Sequence, residues 1–572
     1  MRVMTDHFPI GSQGDEMPTI SVEQQVIAQI LARHGIQHDI EKLENDLPLL
    51  GTDIDSCDEQ TLDIEIFPDR PDLLSGETLA HSMLPFLYDH QPNPTIPSTE
   101  GNLKMVVHPE LSSIRPVIYA AVVRNVTLDD AAIKRLMDHQ EKLHFSIGRR
   151  RKRASIGVHD LAQIQAPFDV RGVPRDTKFI PLSESREMAI DEILTTHPKG
   201  VAYAHLLENI PLVPIIEDKE GKILSFPPII NGAHTTVKSS TKDILVDVTG
   251  WDKRACETAI LLICLQLSTF GGNVETVEVK QHDGEIWKLD TSPISHSITR
   301  GEIQKILGKS FSDQEIASAI SRMGGIASCV NEQITIQMPR WRYDILHPVD
   351  LIEEIAIGHG YDDLGNDIAK APLAGIPRKD AHLLRRLRSS IQGMGMLQVQ
   401  SLTLSNDEDQ FEKMRWAEIG EVTRIHNPIT SEHTIMRQRV LPALIRLLAA
   451  NKHHDLPQHV YELGTVVQGH ENRTHLSFLV AEAAGGFASL RGRIQALMRD
   501  LGVSEYALVE KNGGPWLEGR AANIMIGNRM IGECGELDPH VGLAYDLRVP
   551  MNGAEIFVEE LALAIKDPVT HE

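Results

Sequence analysis

The sequence predicts a multidomain protein that combines α/β and α+β folds. Its 572 residues are too many for one hydrophobic core, and about three to five domains are expected. Hydrophobic residues make up 41% of the chain and charged residues 24%, values typical of globular domains. Helical and strand-like patterns alternate up to about residue 370, and strands dominate the remainder. We therefore expect small α/β units followed by an antiparallel sheet flanked by helices.

The composition also excludes several classes of protein. No apolar stretch reaches the roughly 20 residues of a membrane-spanning helix, and the N-terminus has no signal-peptide pattern. The five cysteines are scattered without a CxxC pair, which argues against zinc ribbons and disulfide scaffolds and predicts a cytoplasmic protein. The formal net charge of −24 disfavours a general nucleic-acid coat, so any RNA contact needs a local basic patch.

The order of the patterns predicts a short extension and four domains. The segments are a flexible extension at 1–16, a small N-terminal α/β domain at 17–90, an α/β domain at 108–285, a small α/β unit at 286–370 and a strand-rich domain at 371–572. A linker rich in proline, asparagine, serine and threonine covers 91–102. Within these domains the patterns predict helices at 22–34, 129–143, 252–270 and 382–394, strands at 62–66, 117–123, 243–250 and 460–467, an interruption at 227–234 and a hairpin at 526–531.

Segment 339–354 carries four carboxylates that can meet at one place. Pro348 suits the first position of a helix, and Asp350, Glu353 and Glu354 then share one helical face. Asp344 lies in the approach to this helix and can fold over the same face. Carboxylates this close repel each other unless a cation neutralises them, and all-oxygen ligands suit Mg²⁺. The alternative is that acids in a first helical turn simply complement the helix dipole.

Segment 67–77 shows the same order of features as segment 339–354. Both have a strand, a proline, an arginine and an aspartate before a helix with acids in its first turn. We interpret the two as copies of one supersecondary unit. The first copy lacks the doubled glutamate, so no metal is expected there, and Arg70 and Asp72 are predicted to form a structural pair.

Two basic clusters stand out in this acidic chain. One is a dense run that precedes a strand-like segment; its members are Arg149, Arg150, Arg151, Lys152 and Arg153. The other, at 385–388, has helical spacing and is better explained as a solvated helix face. The dense run is the better candidate for contact with RNA phosphates, and a solvated surface is its alternative.

The acidic segment resembles the magnesium-binding domain of phenylalanine–tRNA ligase beta subunits. The matching positions are Pro339, Arg342, Tyr343, Asp344, Asp350, Leu351, Ile352, Glu353, Glu354, Gly360 and Tyr361. Gly358 departs from the family pattern but is not a proposed ligand. Runs at 142–144, 149–152, 156–161, 224–234 and 247–249 are similar to the editing domain of the same family, in its archaeal and eukaryotic form. The resemblance covers residues 17 to about 560 and implies that 108–285 is an editing domain, 286–370 a magnesium-binding domain and 371–572 a catalytic-like domain.

Editing, as the resemblance implies it, is hydrolysis of tyrosine wrongly attached to the tRNA for phenylalanine. An apolar pocket rejects an added hydroxyl poorly, so a second hydrolytic sieve multiplies the discrimination. By resemblance, Asn231 and Asp247 are the first choices for this pocket, Ser225 and Thr249 are supporting members and His144 is an outside candidate. Local sequence alone favours a plain turn at Asn231 and a strand-end cap at Asp247. The neighbouring residues at 159–160, a histidine and an aspartate, are expected to form a structural pair.

The segment 371–572 is similar to a class II synthetase domain without its catalytic motifs. It has no GxGxGxR run and no Phe-Arg-x-Glu motif; residues 532–540 and 460–463 stand in their places. Without those arginines the domain has no clamp for ATP phosphates. The resemblance therefore implies that ATP binds to an alpha subunit, in a heterotetramer of two alpha and two beta subunits that charges tRNA. Two alternatives are a non-enzymatic scaffold with a vestigial editing pocket and a free-standing aminoacyl-tRNA hydrolase.

Overall fold

The computed structural model describes residues 19–365 and 375–565 of the chain. These residues fall into two compact units, Met1–Ala369 and Lys370–Glu572. The predicted extension at 1–16 lies outside the described residues. Both units are mixed α/β structures with sheets of three to seven strands in the larger motifs, which confirms the predicted fold class at that level. The finer domain boundaries stay a prediction.

The first unit begins with a β-α-α-β-β-α motif. Its elements are β1 (Thr19–Glu23), α1 (Gln24–Arg33), α2 (Ile40–Asp46), β2 (Thr52–Cys57), β3 (Thr61–Ile66) and α3 (Gly76–Tyr88). The strands form an antiparallel sheet in the order β1-β3-β2. The predicted strand is β3, whereas the predicted helix begins later than expected, because Val22 belongs to a strand of alternating exposed and buried residues.

A large α/β domain follows. Its strands are β4 (Ser98–Thr99), β5 (Lys104–Val107), β6 (Val117–Arg124), β7 (Ala154–Asp160), β8 (Phe168–Val173), β9 (Lys178–Phe179), β10 (Met188–Ala189), β11 (Val213–Glu217), β12 (Ile223–Phe226), β13 (Ile230–Asn231), β14 (Ile244–Gly250), β15 (Asn273–Thr276), β16 (Glu278–Lys280) and β17 (Ile286–Trp287). Its helices are α4 (Asp130–Phe145), α5 (Ile190–Thr196), α6 (Pro198–Tyr203) and α7 (Lys253–Thr269). Asp252 caps α7 through a bond from the Ala255 amide, as the sequence predicts.

Two sheets build this domain. One has five strands in the order β4-β15-β6-β14-β7, and the other has seven in the order β13-β12-β11-β8-β5-β16-β17. Apolar side chains from facing strands, such as Leu245 and Phe168, fill the space between the sheets. The other face of the five-stranded sheet packs against α4 and α7, and the latter also contacts α3. Because strand residues alternate, Asp247 lies on the same face as Leu245, toward the second sheet.

The first unit ends with a second β-α-α-β-β-α motif. It consists of β18 (Ile294–Thr299), α8 (Arg300–Leu307), α9 (Asp313–Arg322), β19 (Ile326–Val330), β20 (Gln333–Met338) and α10 (Pro348–His359). Its sheet order is β18-β20-β19, again first, third, second. Capping boxes open α8 at Thr299 and α9 at Ser312. We call residues 19–88 the first repeat and residues 294–359 the second repeat.

The second unit is built on one seven-stranded sheet. Its helices are α11 (Ala381–Gly393), α12 (Leu441–Ala450), α13 (Phe487–Asp500), α14 (Pro539–Ala544) and α15 (Val558–Ala564). Its strands are β21 (Leu397–Gln398), β22 (Leu404–Ser405), β23 (Ile435–Met436), β24 (Gln458–Gln468), β25 (Glu471–Ala481), β26 (Ala507–Glu510), β27 (Trp516–Ile526), β28 (Arg529–Leu537) and β29 (Met551–Phe557). The sheet order is β21-β24-β25-β29-β28-β27-β26 and all pairings except β21–β24 are antiparallel. One face packs α11, α13 and α15, and the other packs α12 and α14, as predicted.

Candidate functional site

A buried, hydrogen-bonded histidine–aspartate pair lies between the two sheets of the large α/β domain. The Oδ1 atom of Asp247 is 2.7 Å from Nε2 of His159, and both residues are almost fully buried. Nδ1 of His159 is 2.9 Å from the Thr235 hydroxyl. Asp247, on β14, is thereby linked through β7 to the turn that follows β13. The predicted pairing of His159 with Asp160 is wrong, because Asp160 instead accepts a bond from the Thr241 hydroxyl at 2.8 Å.

Asn231 reaches the same strand from the other sheet. It ends β13, and its Nδ2 donates to the carbonyl oxygen of Val158 at 3.4 Å, next to His159. The Ser225 hydroxyl lies 3.4 Å from Asn231 Oδ1. Both hydrogen bonds are long, and Asn231 is only half-buried, so its amide can still bind another group. The structure thus brings Ser225 and Asn231 together beside the His159–Asp247 pair.

Gly157 makes room for this pair. It lies opposite Asp247 in the β7–β14 register. A Cβ atom at this position would stand 2.7 Å from His159 Nε2 and well inside contact distance of the Asp247 carboxylate. Sequence reasoning did not identify Gly157 or His159 as site residues. The available signal was a glycine inside a strand, which often marks a close approach.

Thr249 and His144 have other partners. Arg115 donates from Nε to the Thr249 hydroxyl at 2.7 Å and from Nη2 to the Ser155 hydroxyl at 3.0 Å. Burial lowers the pKa of this guanidinium to about 10. Nε2 of His144 accepts a hydrogen bond from the Ile156 amide at 2.8 Å, and burial lowers the pKa of His144 to about 4. These contacts fix the start of β7 and the end of β14.

The basic run forms a left-handed turn. Arg149, Arg150 and Arg151 have φ angles of 47°, 53° and 65°, a region that costs a side-chain-bearing residue roughly 1–2 kcal/mol. Four of the five basic residues of the run are exposed. Arg151 is buried: it donates to the carbonyl oxygens of Pro228 and Ile229 at 3.1 and 2.9 Å.

Further contacts hold the Arg151 side chain in place. Its Nη2 donates to Glu141 at 2.6 Å, and its guanidinium lies 4.4 Å from the Tyr203 ring centroid. This side chain is therefore structural, and the prediction that it contacts RNA is wrong. The prediction stays open for Arg149, Arg150, Lys152 and Arg153.

The four acids of the second repeat line one cavity of about 640 Å³, which we call the acidic cavity; they are Asp344, Asp350, Glu353 and Glu354. Arg342 stands between two of them, with Nη2 2.6 Å from Asp344 and 2.7 Å from Glu354. Asp350 accepts hydrogen bonds from the amides of Leu346 and His347 at the start of α10.

The charges around Arg342 decide how far this cavity fits a metal ion. Burial raises the pKa of Asp344, but the Arg342 guanidinium outweighs it and holds the pKa below its usual value. Burial raises the pKa of Glu354, and Arg342 only partly offsets it. One oxygen of Glu354 is buried without a hydrogen-bond partner. That oxygen and the surplus of carboxylates suit a cation.

Arg342 nevertheless neutralises part of the carboxylate charge for which the sequence analysis expected a metal ion. Across residues 19–365 and 375–565, no three histidine, cysteine or acidic side chains are grouped closely enough to hold one ion. The carboxylates fit Mg²⁺ by their chemistry and by facing one cavity, not by a closed set of ligands.

The second unit carries buried ion pairs at the positions where synthetase arginines were sought. Glu462 pairs with Arg437 at 2.7 Å and also accepts from the Ser401 hydroxyl. Glu533 is fully buried and pairs with Arg439 at 2.5 Å. Both arginines are thus engaged by carboxylates and are not free to bind phosphates.

In the part of the chain that the structure describes, no helix is long and apolar enough to cross a membrane.

Comparison with known proteins assigns both units of the chain to known domain families. Three family models match: the phenylalanyl tRNA synthetase beta chain CLM domain at residues 367–558, the tRNA synthetase B5 domain at 296–361 and the B3/4 domain at 120–262. The B5 match contains the acidic cavity's helix α10, and the B3/4 match contains Asn231 and the His159–Asp247 pair.

Relatives of similar length support the same grouping. The phenylalanine–tRNA ligase beta subunit of Methanococcoides burtonii is 35% identical over 547 residues, which are 95% of this chain and 100% of that protein. The beta subunit of Methanothrix thermoacetophila is 37% identical over 89% of this chain and 95% of its own. A crystallised N-terminal fragment of the Pyrococcus horikoshii beta subunit is 28% identical with a TM-score of 0.57, covering 60% of this chain and all of the fragment. The chain therefore belongs to the family of phenylalanine–tRNA ligase beta subunits.

Proposed function

We propose that this chain hydrolyses tyrosyl-tRNA in its B3/4 domain while an alpha partner joins phenylalanine to its tRNA with ATP. The observation that carries the proposal is the half-buried Asn231 beside the buried His159–Asp247 pair, next to the apolar cluster that fills the space between the two sheets. A sieve that accepts tyrosine must offer a polar partner to the phenol and orient a water at the ester. Asn231 from the seven-stranded sheet and the His159–Asp247 pair from the five-stranded sheet supply such polar groups.

The burial of the two residues supports different roles for them. Asn231 has an amide whose present hydrogen bonds are long, so it is the group that can hold the attacking water or the ester. Asp247 is buried, with its side chain 2% exposed, and its Oδ1 lies 2.7 Å from Nε2 of His159, whose side chain is 0% exposed. It is a positioning residue, which fixes His159 and, through Thr235, the turn that follows Asn231. Neither residue needs a metal for this.

Synthesis belongs on the alpha subunit in this proposal. The buried pairing of Arg437 and Arg439 supports it, because neither guanidinium is available to an ATP phosphate. The assembly we expect is a cytoplasmic heterotetramer of two alpha and two beta subunits that binds the tRNA for phenylalanine. The exposed Arg149, Arg150 and Lys152, with their neighbour Arg153, are the proposed contacts with RNA phosphates.

Magnesium is proposed as a structural ion of the acidic cavity. The residues that would hold it are Asp344, Asp350, Glu353 and Glu354, all of which line that cavity. When bound there, the ion would neutralise the carboxylate surplus that Arg342 leaves. It takes no part in hydrolysis.

The test is hydrolysis of tyrosyl-tRNA by the assembled enzyme carrying Asn231→Ala or Asp247→Ala. Losing one bond to a buried polar group costs about 1–3 kcal/mol, so the rate should fall roughly 5- to 150-fold. Phenylalanine charging should stay near normal. Asn273→Ala, at an exposed position of β15, is the matched control.

The scaffold alternative makes the opposite prediction. If both variants clear tyrosyl-tRNA at the unmutated rate, the pocket lies elsewhere or is vestigial. If the unmutated enzyme shows no hydrolysis at all, the scaffold reading replaces the proposal. The family match does not favour that alternative.

A further inference from the structure

The two repeats are related position by position, well beyond their shared order of elements. From β3 through α3 the first repeat aligns with β20 through α10 without a gap, at a constant offset of 272 residues. Thr61 thus corresponds to Gln333, and the N-cap Ser75 to the N-cap His347. The fold confirms the internal repeat that the sequence predicts.

The arginine–aspartate pairs occupy corresponding positions and make corresponding contacts. Nε and Nη2 of Arg70 donate to both carboxylate oxygens of Asp72, and Arg342 does the same with Asp344. Each arginine also donates from Nη1 to the carbonyl just before the second strand of its repeat. The acceptors are Leu50 at 3.4 Å and Met323 at 3.3 Å.

This correspondence produces two cavities of the same construction. The acidic cavity is bounded by the last helix of the second repeat and by turns of the first. A second cavity, of about 240 Å³, is bounded by the last helix of the first repeat and by turns of the second. Helix positions Glu353, Glu354 and Ile357 in one correspond to His81, Ser82 and Pro85 in the other. We call the second one the basic cavity.

The charge of the two cavities is opposite. Five carboxylates and two guanidinium groups line the acidic cavity, whereas three guanidinium groups and one carboxylate line the basic cavity. The change arises at corresponding positions: His81 and Ser82 replace the two glutamates, and Trp341 replaces Asp69. Before the second strand the offset is 273, as the corresponding acceptors Leu50 and Met323 show, so Arg322 replaces Leu49. The two cavities are therefore built from corresponding elements, but the charged groups that line them are mostly of opposite sign.

Arg322 places a positive charge at the basic cavity without a carboxylate to pair with it. Its side chain donates to the carbonyl oxygens of Gly358 at 2.7 Å and Phe86 at 3.3 Å. Among the described residues no acidic side chain lies within ion-pair distance of it, and its guanidinium lies 4.7 Å from the Phe86 ring centroid. An uncompensated positive charge at the wall of a cavity attracts an anion.

The remaining walls are aromatic and prolyl. His81 packs edge-on against Trp341 with 6.0 Å between ring centroids, and His34 packs edge-on against His90 at 4.8 Å. Burial lowers the pKa of His81 to about 4. Arg70 and Arg342 are paired with carboxylates, so the unpaired positive charge comes from Arg322. The volume of about 240 Å³ is many times the roughly 10–15 Å³ that one water needs, and it is more than a bare phosphate needs. An anion with a flat, weakly polar body fits these walls.

We propose that the basic cavity binds a nucleotide, with its phosphate toward Arg322 and the histidines and its base against the wall of Trp341 and proline residues. The nucleotide can come from the free pool or from RNA, and the chemistry recognised is the same. This site is separate from the editing residues in the B3/4 domain, and it does not depend on the function proposed above.

The test is calorimetric titration of the full chain, without its alpha partner, with adenosine monophosphate. The key variant is His81→Glu with Ser82→Glu, which installs the acids of the second repeat in the basic cavity. Affinity should fall about tenfold or more, because two added carboxylates would repel the phosphate. The control is His205→Glu with Ser112→Glu, the same exchange at exposed positions. It should bind like the unmutated chain.

A second variant guards against misfolding of the first. His34→Ala with His90→Ala changes only the rim of the cavity and should also weaken binding. The proposal is overturned if adenosine monophosphate does not bind, if adenosine binds as tightly, or if both cavity variants bind like the control. Competition by a single-stranded oligoribonucleotide would assign the nucleotide to RNA, and its failure to compete would assign it to the free pool; both support the cavity.

Discussion

Gly157→Ala should damage the editing domain through a single methyl group. The added Cβ would stand 2.7 Å from His159 Nε2 and 2.9 Å from Asp247 Cγ, whereas unstrained contacts between heavy atoms lie near 3.5 Å. Asp247 or His159 must therefore move by several tenths of an ångström in a region with almost no exposed surface. The 2.7 Å bond between them is the contact that this movement strains.

The size of the effect depends on whether that bond survives. Overpacking alone costs about 1–3 kcal/mol of the free energy of unfolding. Losing the buried Asp247–His159 hydrogen bond costs about 1–3 kcal/mol more. We therefore expect the free energy of unfolding to fall by about 1 to 6 kcal/mol. Hydrolysis of tyrosyl-tRNA should be slowed about tenfold or more, because Asn231 and the turn after it lose their support.

Two measurements on the assembled enzyme check this prediction. The rate of tyrosyl-tRNA hydrolysis should fall while phenylalanine charging persists. Thermal unfolding should begin at a lower temperature. The control is Gly172→Ala on β8, where the nearest side-chain atoms would lie 3.1 to 3.4 Å from the new atom, farther than at Gly157. Unchanged hydrolysis and unchanged unfolding in Gly157→Ala would refute the role given to the His159–Asp247 pair.

Four further predictions concern the acidic cavity, the second unit and His144. Arg342→Met should lower the free energy of unfolding by about 3–5 kcal/mol because it leaves two carboxylates unpaired; an unchanged thermal midpoint would contradict it. Replacing the four acids of the acidic cavity by amides should abolish Mg²⁺ binding in calorimetry, and retained affinity would remove the metal assignment. The chain without its alpha partner should show no phenylalanine-dependent pyrophosphate exchange, since it lacks the GxGxGxR and Phe-Arg-x-Glu motifs and its Arg437 and Arg439 are paired with buried carboxylates; measurable exchange would overturn that. Because burial lowers the pKa of His144 to about 4, the unfolded state binds more protons below pH 6.5, so stability should fall by up to about 3 kcal/mol between pH 6.5 and 4; His144→Gln should flatten this slope, and an unaltered slope would exclude His144 as its source.

Local patterns were sufficient to predict the features that depend on neighbours in sequence. Asp252 caps α7 because a cap needs only the next three residues. Arg70 and Asp72 pair because they are two residues apart at a strand end. Asp350, Glu353 and Glu354 face one cavity because helical spacing fixes their side, and Asp344 joins them from the turn before the helix. The resemblance to a known family added the identity of the editing domain, which no local pattern contains.

Contacts between distant strands were not predictable in this way. The pairing of His159 with its neighbour failed because successive residues of a strand point to opposite faces. Its true partner, Asp247, is 88 positions away and reaches it only through the β7–β14 register. Charge counting likewise could not tell that Arg151 turns inward while the residues beside it stay exposed. The cation beside the acids was overlooked because Arg342 was taken as part of the motif and not as its counter-charge.

The repeated construction has a consequence for how the first unit can change. Arg70 and Arg322 line both cavities, so a substitution that moves either side chain is felt on both sides of the wall. Two sites that share a wall cannot be tuned separately: if an occupant of one alters the affinity of the other, the second must alter the first by the same factor. Oppositely charged occupants would favour each other through that wall. A fragment that keeps only one repeat would retain half of each cavity and a whole of neither.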